Sequence, residues 1–449
     1  MRNSKAIRYL FAFVVAAAVT FAAAQQTITL EAWTIGPDEP AVHRAENLEA
    51  AALILNEQLA AEGADYRVEL VTDFETVSWD DFRRRLLLAF DSGLAPDLIA
   101  SSHLDIAVWS EGGFLMELDG YIAEYDAFDD VVESLWDFTT YKGAVYGIPI
   151  NPEARPFYFN KTLLAELGWS ADEIEALPGR ILEGDFIWDD VVEVSLEAIE
   201  AGVVAPGHGY WHRPADGPDY YHTYMAYGGR LQDPDTGQLV FTQDAALGLF
   251  TLLGRMADEG VILRDLIGTP WPEWHRTVVD GEVLFNSAGT WSFAEWATQF
   301  SDGGYDHIWE TFGFALQPAA ERGGTPTTLS HPLAYYIWSG TDHADLAARL
   351  LSIVTTPEFD VRAMESGHLP ALESTRAEDA FLENEFLSQV SYMVDYTSAQ
   401  PVHDGFGRYA DIVFRSINAV ESGQLTPEEA VELTVEELQR ALGDQVSIE

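Results

Sequence analysis

Trp271 and Trp274 lie in a stretch that also carries Pro270 and Pro272, and Trp291 stands further along the chain. The whole chain holds 13 Trp, 18 Tyr and 24 Phe. Flat aromatic side chains pack against apolar ring faces, and planar polar side chains hydrogen-bond around a ring's edge. Together they suit non-covalent recognition of a ring with polar substituents. Trp291 follows Gly289-Thr290, where a glycine lets the backbone come close to a cleft. Trp271, with Trp274, is a candidate wall of that cleft. Asp216, Tyr220 and Tyr221 sit in an aromatic and polar segment, 211–227, that has no clear period and so reads as a cleft-lining loop. Glu153 lies four residues after Pro149. Ser102 and His103 follow one short strand, and Trp33, Asp38 and Glu39 close another; ligands in open α/β sheets gather at such strand ends. Each residue also has an ordinary alternative: a core indole, a solvated carboxylate or a structural imidazole.

Other chemistries find less support. The chain has no cysteine, which removes disulfides, Cys-ligated zinc and thiol catalysis. No lysine follows a glycine, so no phosphate-binding Gly-Lys-Ser/Thr loop exists, and no Gly-x-Ser-x-Gly elbow is found. His208 and His212 have zinc-like spacing, but Gly209 replaces the catalytic glutamate. Asp233-Pro234-Asp235-Thr236-Gly237 faintly resembles a calcium loop, with Gly237 where a ligand belongs. No metal and no cofactor are expected. The 74 acidic residues offer many carboxylate pairs, so a secreted glycosidase or polysaccharide lyase is the enzymatic alternative. A structural or adhesive protein would show repeats or low complexity, which are missing.

The formal charge of −50, with only three lysines (Lys5, Lys142 and Lys161), repels nucleic acid and anionic membranes but not a neutral ligand. A saline habitat and drift of surface residues in a GC-rich genome both account for it. Arg2, Lys5 and Arg8, the apolar run from Leu10 to Phe21 and Ala22-Ala23-Ala24 read as a signal peptide over 1–24. With no cysteine for a lipid anchor, a periplasmic location is expected, and so is a monomer.

The elements that must position these residues alternate. Ile28, Leu30, Ala32 and Ile35 predict a strand. Leu48, Ala52, Leu55 and Leu59 share one face of a helix that begins near Ala41 and stops at Gly63. A strand at 66–71 follows, then a helix carrying Trp79, Phe82, Leu86 and Phe90 up to Gly93, then a buried strand at 97–100. Trp188, Val191, Ser195 and Ile199 mark one later helix, and Leu247, Phe250 and Leu253 another. Tyr409, Ile412, Val413, Ile417 and Val420 form a stripe ahead of the capping box Thr426-Pro427-Glu428-Glu429. The grammar is α/β with mostly parallel sheets.

Several segments, in order, resemble the extracellular solute-binding proteins of ABC importers, in the carbohydrate-binding group that contains maltose-binding protein. They are Ser92-Gly93-Leu94-Ala95-Pro96-Asp97-Leu98, Gly113-Phe114-Leu115-Met116-Glu117-Leu118-Asp119, and Tyr141-Lys142-Gly143-Ala144-Val145-Tyr146-Gly147-Ile148-Pro149 with Phe157-Tyr158-Phe159-Asn160-Lys161. Further matches are 280–291, 313–318, Gly367-His368-Leu369-Pro370-Ala371 and 422–430. The resemblance implies two lobes around a ligand cleft: 25–150 with about 330–375, and 151–329 with about 376–449. It implies a sugar or oligosaccharide ligand delivered to membrane permease subunits, without catalysis. By the same resemblance Trp291 stacks on the sugar, Glu153 accepts sugar hydroxyls, and Tyr409 takes the place of another ligand-facing aromatic. Around Ser101 the chain has small residues where maltose-binding protein has a stacking Trp, and that protein's acidic and basic pair just beyond is absent, which argues against maltose itself.

Overall fold

The computed structural model describes residues 26–36, 39–233 and 236–449. The expected signal peptide and Asp38 lie outside them.

The first strand, Gln26–Ile35, pairs in parallel with Tyr66–Glu75 along its whole length, from Gln26 opposite Tyr66 to Ile35 opposite Glu75. Between them runs helix His43–Glu62, which buries Leu48, Ala52, Leu55 and Leu59 and ends at Gly63 with φ 80°. That left-handed turn is where glycine avoids a Cβ clash. Helix Trp79–Ser92 starts on the Ser78 hydroxyl, which accepts the Asp81 N–H, and buries Phe82, Leu86 and Phe90. The strand Leu98–Ser102 that follows is buried throughout.

The sheet is completed from far along the chain. Strand Leu333–Ile337 lies between Leu98–Ser102 and Gly147–Ile150 and is antiparallel to both. A second sheet is ordered Phe312–Ala315, Phe157–Asn160, Phe285–Ser287, Tyr210–Trp211. Phe157–Asn160 is antiparallel to both its neighbours, and only Phe285–Ser287 with Tyr210–Trp211 is parallel. The two-lobe α/β architecture stands, but the sheets are mixed rather than mostly parallel. The reason lies in the crossings: Phe157–Asn160 and Leu333–Ile337 enter their sheets directly from the other lobe, not through a helical crossover, and parallel pairing needs such a crossover.

Each sheet has its own core. Leu30, Leu48, Leu55 and Leu98 pack with helix Ala344–Val354 on one face of the first sheet; Phe82, Leu86, Ile99 and Trp109 pack on the other. Phe157, Trp188, Trp274, Phe285 and Trp296 centre the second sheet. Helices Phe406–Glu421 and Pro427–Leu442 build a third core with Phe241 and Tyr409.

Candidate ligand-binding site

Trp291 is the second residue of helix Thr290–Glu295, whose N-cap is Gly289. A Cβ on Gly289 would lie 2.1 Å from Trp291 Nε1, so this indole orientation needs glycine there. Trp271 opens helix Trp271–Val279, with Pro272 in its first turn, where a missing N–H costs nothing. The Trp271 and Trp291 rings lie 5.9 Å apart at 39°. Trp274 stacks on Trp271 at 5.3 Å and 8°. Trp271 and Trp291 are half-buried, whereas Trp274 and Trp296 are fully buried. His275 wedges its edge against Trp271 at 4.4 Å and accepts the Trp296 Nε1–H on Nδ1 at 2.8 Å. Burial first, and then Arg213, lower its pKa to about 3, so this imidazole is neutral and the indole bond is kept.

Behind the two half-buried indoles lies a chain of charges. Arg155, 4% exposed, donates to Glu153 Oε1 from Nη2 at 2.6 Å and Nε at 3.1 Å, and to both Asp219 oxygens from Nη1 at 3.1 Å. Arg213 Nη1 reaches Asp219 at 3.9 Å, and its Nε donates to the Asp216 carbonyl at 3.1 Å. The Arg213 guanidinium sits 5.1 Å from the Trp271 centroid and that of Arg155 5.9 Å from the Trp291 centroid. Burial would raise the Asp219 pKa, but Arg155 and Arg213 outweigh it and hold the carboxylate below its ordinary value. For Glu153 burial wins and the pKa rises despite Arg155. Asp219 is therefore the firmly ionised partner and Glu153 the one more easily protonated. Glu153 Oε1 is used twice, and Oε2 takes part in no hydrogen bond among the described residues.

The first lobe brings a facing wall. Arg83 Nε pairs with Asp105 Oδ1 at 2.6 Å, and the Ser101 hydroxyl donates to Asp105 Oδ2 at 2.6 Å. Arg83 also reaches Asp80 at 3.6 Å and lies 5.8 Å from the half-buried Trp79 ring. Asp216 is exposed at the rim; the protein packed around it, then Asp411 and Asp80, raise its carboxyl above the ordinary value against the pull of Arg213. The field of Asp80 on Asp216 brings the two walls within Coulombic reach.

The structure thus brings together Trp271, Trp291, Glu153 and Asp216 of the residues picked from sequence. The others fall elsewhere. Ser102 and His103 are fully buried: the Ser102 hydroxyl bonds His331 Nε2 at 2.9 Å, and His103 Nδ1 bonds the Pro332 carbonyl at 3.0 Å. Burial lowers the His103 pKa to about 4, so it is a neutral structural group where a strand meets the crossing segment. Tyr220 and Tyr221 are 4% exposed and stand behind the wall; Tyr220 donates to the Arg213 carbonyl at 2.8 Å, and Tyr221 packs on Phe406 at 5.8 Å. Tyr409 is 1% exposed and donates to the Val240 carbonyl at 3.0 Å, a core residue of the C-terminal helices. Trp33 carries Arg85 3.6 Å from its ring centroid. Glu39 opens the short turn Glu39–Val42.

Arg155, Asp219, Arg213, Arg83 and Asp105 went unnoticed in the sequence. Arg155 had a signal: a basic residue two places after Glu153 in a chain with only 24 Lys and Arg. Asp105 and Arg83 form a pair although they come from different helices. His212 Nε2 pairs with buried Glu421 at 2.9 Å. Among the described residues no group of three or more His, Asp or Glu could hold an ion, and no helix is long and apolar enough to cross a membrane.

A half-buried aromatic pair set above paired charges, between two lobes, is a place for a small polar guest. The family profile "Bacterial extracellular solute-binding protein" matches residues 48–360. The chain belongs to that family. Among curated relatives, this solute-binding protein is 32% identical over 117 residues to "Uncharacterized lipoprotein in oleD 5'region" of Streptomyces antibioticus, covering 26% of this chain and 23% of the relative. It is 26% identical over 309 residues to the "Arabinooligosaccharide-binding protein" of Halalkalibacterium halodurans, covering 66% and 62%. The chain thus spans less than two thirds of the length of these two relatives. Its fold is similar to that of the GacH receptor of Streptomyces glaucescens GLA.O, with a TM-score of 0.74 at 17% identity over 93% of this chain and 99% of the other. It is also similar to maltose-bound MalE3 of T. maritima, with a TM-score of 0.72 at 17% identity over 92% and 100%.

Proposed function

We propose that this solute-binding protein captures a sugar or oligosaccharide in the cleft between its lobes and hands it unchanged to the permease subunits of an ABC importer. The observation that carries this reading is the tilted Trp271–Trp291 pair backed by the Glu153–Arg155–Asp219–Arg213 chain. Two indole planes meet the C–H faces of sugar rings, and Glu153 Oε2 and Asp216 accept hydroxyls from above the paired charges. Arg83 and Asp105 complete the contacts when the lobes close, and closure follows because the sugar binds the closed form better. The lobes are 25–150 with about 330–375, and 151–329 with about 376–449; the crossings at 150–157 and 315–333 act as hinges. The family supports an extracellular receptor; in our reading it is a periplasmic monomer, and the basic and apolar residues of 1–24 are its leader.

A thermal-shift screen of mono- and oligosaccharides tests this reading. A cognate sugar raises the melting temperature and is recovered intact from the complex. Trp291→Ala lowers its affinity at least about thirtyfold, the scale of a ~2 kcal/mol aromatic anchor. Recovery of a cleaved or eliminated sugar would make the protein an enzyme, and unchanged affinity in Trp291→Ala would remove that indole from the site.

A further inference from the structure

A second crevice, of about 970 Å3, lies between segments of both lobes and shares no lining residue with the tryptophan site. Its volume is in the range of pockets that hold small ligands. Glu111, Phe138, Tyr141 and Lys142 form one wall, Gln232 and Gln445 the other, and buried Gln400 is among the connecting residues. Two helices tie this crevice to the first site while keeping the two apart. Helix Asp105–Glu111 begins at the carboxylate that pairs with Arg83 and ends at Glu111. Helix Asp219–Ala226 begins at the carboxylate that pairs with Arg155 and reaches the crevice at Met225. Each covers about 9 Å at 1.5 Å per residue. Between the sites, His331 bonds Ser102 with one ring nitrogen at 2.9 Å and Gln400 with the other at 3.0 Å.

The lining chemistry selects a guest. Its two strong cations are already matched, Lys142 by Glu111 and Arg230 by Glu449, so an anion meets lining carboxylates without a free counter-charge. Gln232 and Gln445 each donate through Nε2, and their amide oxygens accept no hydrogen bond among the described residues, which leaves two acceptors for hydroxyl donors. Phe138 and Tyr141 add ring surface. Lys142 itself is held at φ 49° in the tight turn between Thr140–Tyr141 and Ala144–Val145. A non-glycine residue there costs about 1 kcal/mol or more, and such strain concentrates where a side chain must be presented. We propose that this crevice is a second binding site, for a neutral polyhydroxylated solute of one or two rings. It is additional to the sugar cleft and does not depend on Trp291.

Calorimetric titration of the mature protein with glucose, trehalose and sucrose tests it. At least one probe fits two independent sites, the crevice at least about tenfold weaker than the cleft. Trp291→Ala removes the tighter phase and leaves the weaker one. Tyr141→Ala weakens the weaker phase at least tenfold without touching the tighter one. Lys142→Asn keeps a residue that accepts the left-handed turn, so the fold holds if Tyr141→Ala does not, and it weakens the same phase at least threefold. Single-site binding of all three probes overturns the proposal, as does a weaker phase unchanged in both crevice variants or lost in Trp291→Ala. If Trp291→Ala spares the tighter phase, the cleft reading fails, and the crevice is judged by Tyr141→Ala and Lys142→Asn alone.

Discussion

Arg155 holds two buried carboxylates at once, and that decides what happens when it is removed. Taking three charges out of water is expensive, and the arrangement survives because each has a close partner. Arg155→Met takes the paired cation from buried Glu153 and leaves Asp219 with only the more distant Arg213, at 3.9 Å. Chemical denaturation is expected to show a loss of about 3–5 kcal/mol. Histidines behave in the opposite way, since burial keeps them neutral: His43, His222 and His275 are lowered to about 3 and His103 to about 4. Their unfolded value is near 6.5, so the stability they allow is present above about pH 6.5. It is lost as the pH falls and the unfolded chain takes up protons that the folded chain refuses. By pH 5 each forfeits about 2 kcal/mol. His212 runs the other way, because Glu421 overcomes burial and raises its pKa; its contribution fades as the pH rises. Urea midpoints should therefore drop between pH 7 and pH 5, and His222→Asn should flatten that drop. An unchanged slope in the variant would remove His222 from the acid limb.

At the scale of elements, the short helix Thr290–Glu295 sets the angle of its tryptophan. Gly289→Ala places a methyl where Trp291 Nε1 now lies, so the indole must swing away. An alanine N-cap in place of glycine costs up to about 1 kcal/mol, so the fold survives. Sugar affinity in the cleft is expected to fall at least about tenfold while the melting temperature moves little; equal affinity would show that the ring angle does not matter. Elements were also where sequence reasoning worked well. The turns at Gly63 and Gly93 stop helices as expected, and Thr426 with Glu429 closes both halves of its capping box. Such signals act within four residues, so they are written in order along the chain. The site was legible where one residue announces its own setting, as Trp291 does after Gly289. It was not where a wall has two sides. Tyr220 and Tyr221 belong to an aromatic-rich stretch near the cleft, yet pattern alone does not say which rings face inward, and Tyr409, picked from the resemblance, packs in the C-terminal core. Arg83 with Asp105, and Arg155 with Asp219, are joined only by folding, and many acidic residues competed for each role.

For the molecule as a whole, a formal charge of −50 means that every part of the surface repels the rest. Screening shortens that repulsion from about 10 Å at 0.1 M salt to about 3 Å at 1 M. The melting temperature is expected to rise by at least about 5 °C between 0.1 M and 1 M NaCl, with KCl giving a similar rise. A flat response would mean that the paired arginines already neutralise what matters.

The late arrival of Leu333–Ile337 in the middle of the first sheet has a consequence for biosynthesis. A nascent polypeptide that has emerged only as far as Ser330 has a missing rung between Leu98–Ser102 and Gly147–Ile150. Its amino-terminal half cannot close into a finished unit while the ribosome is still making the other half.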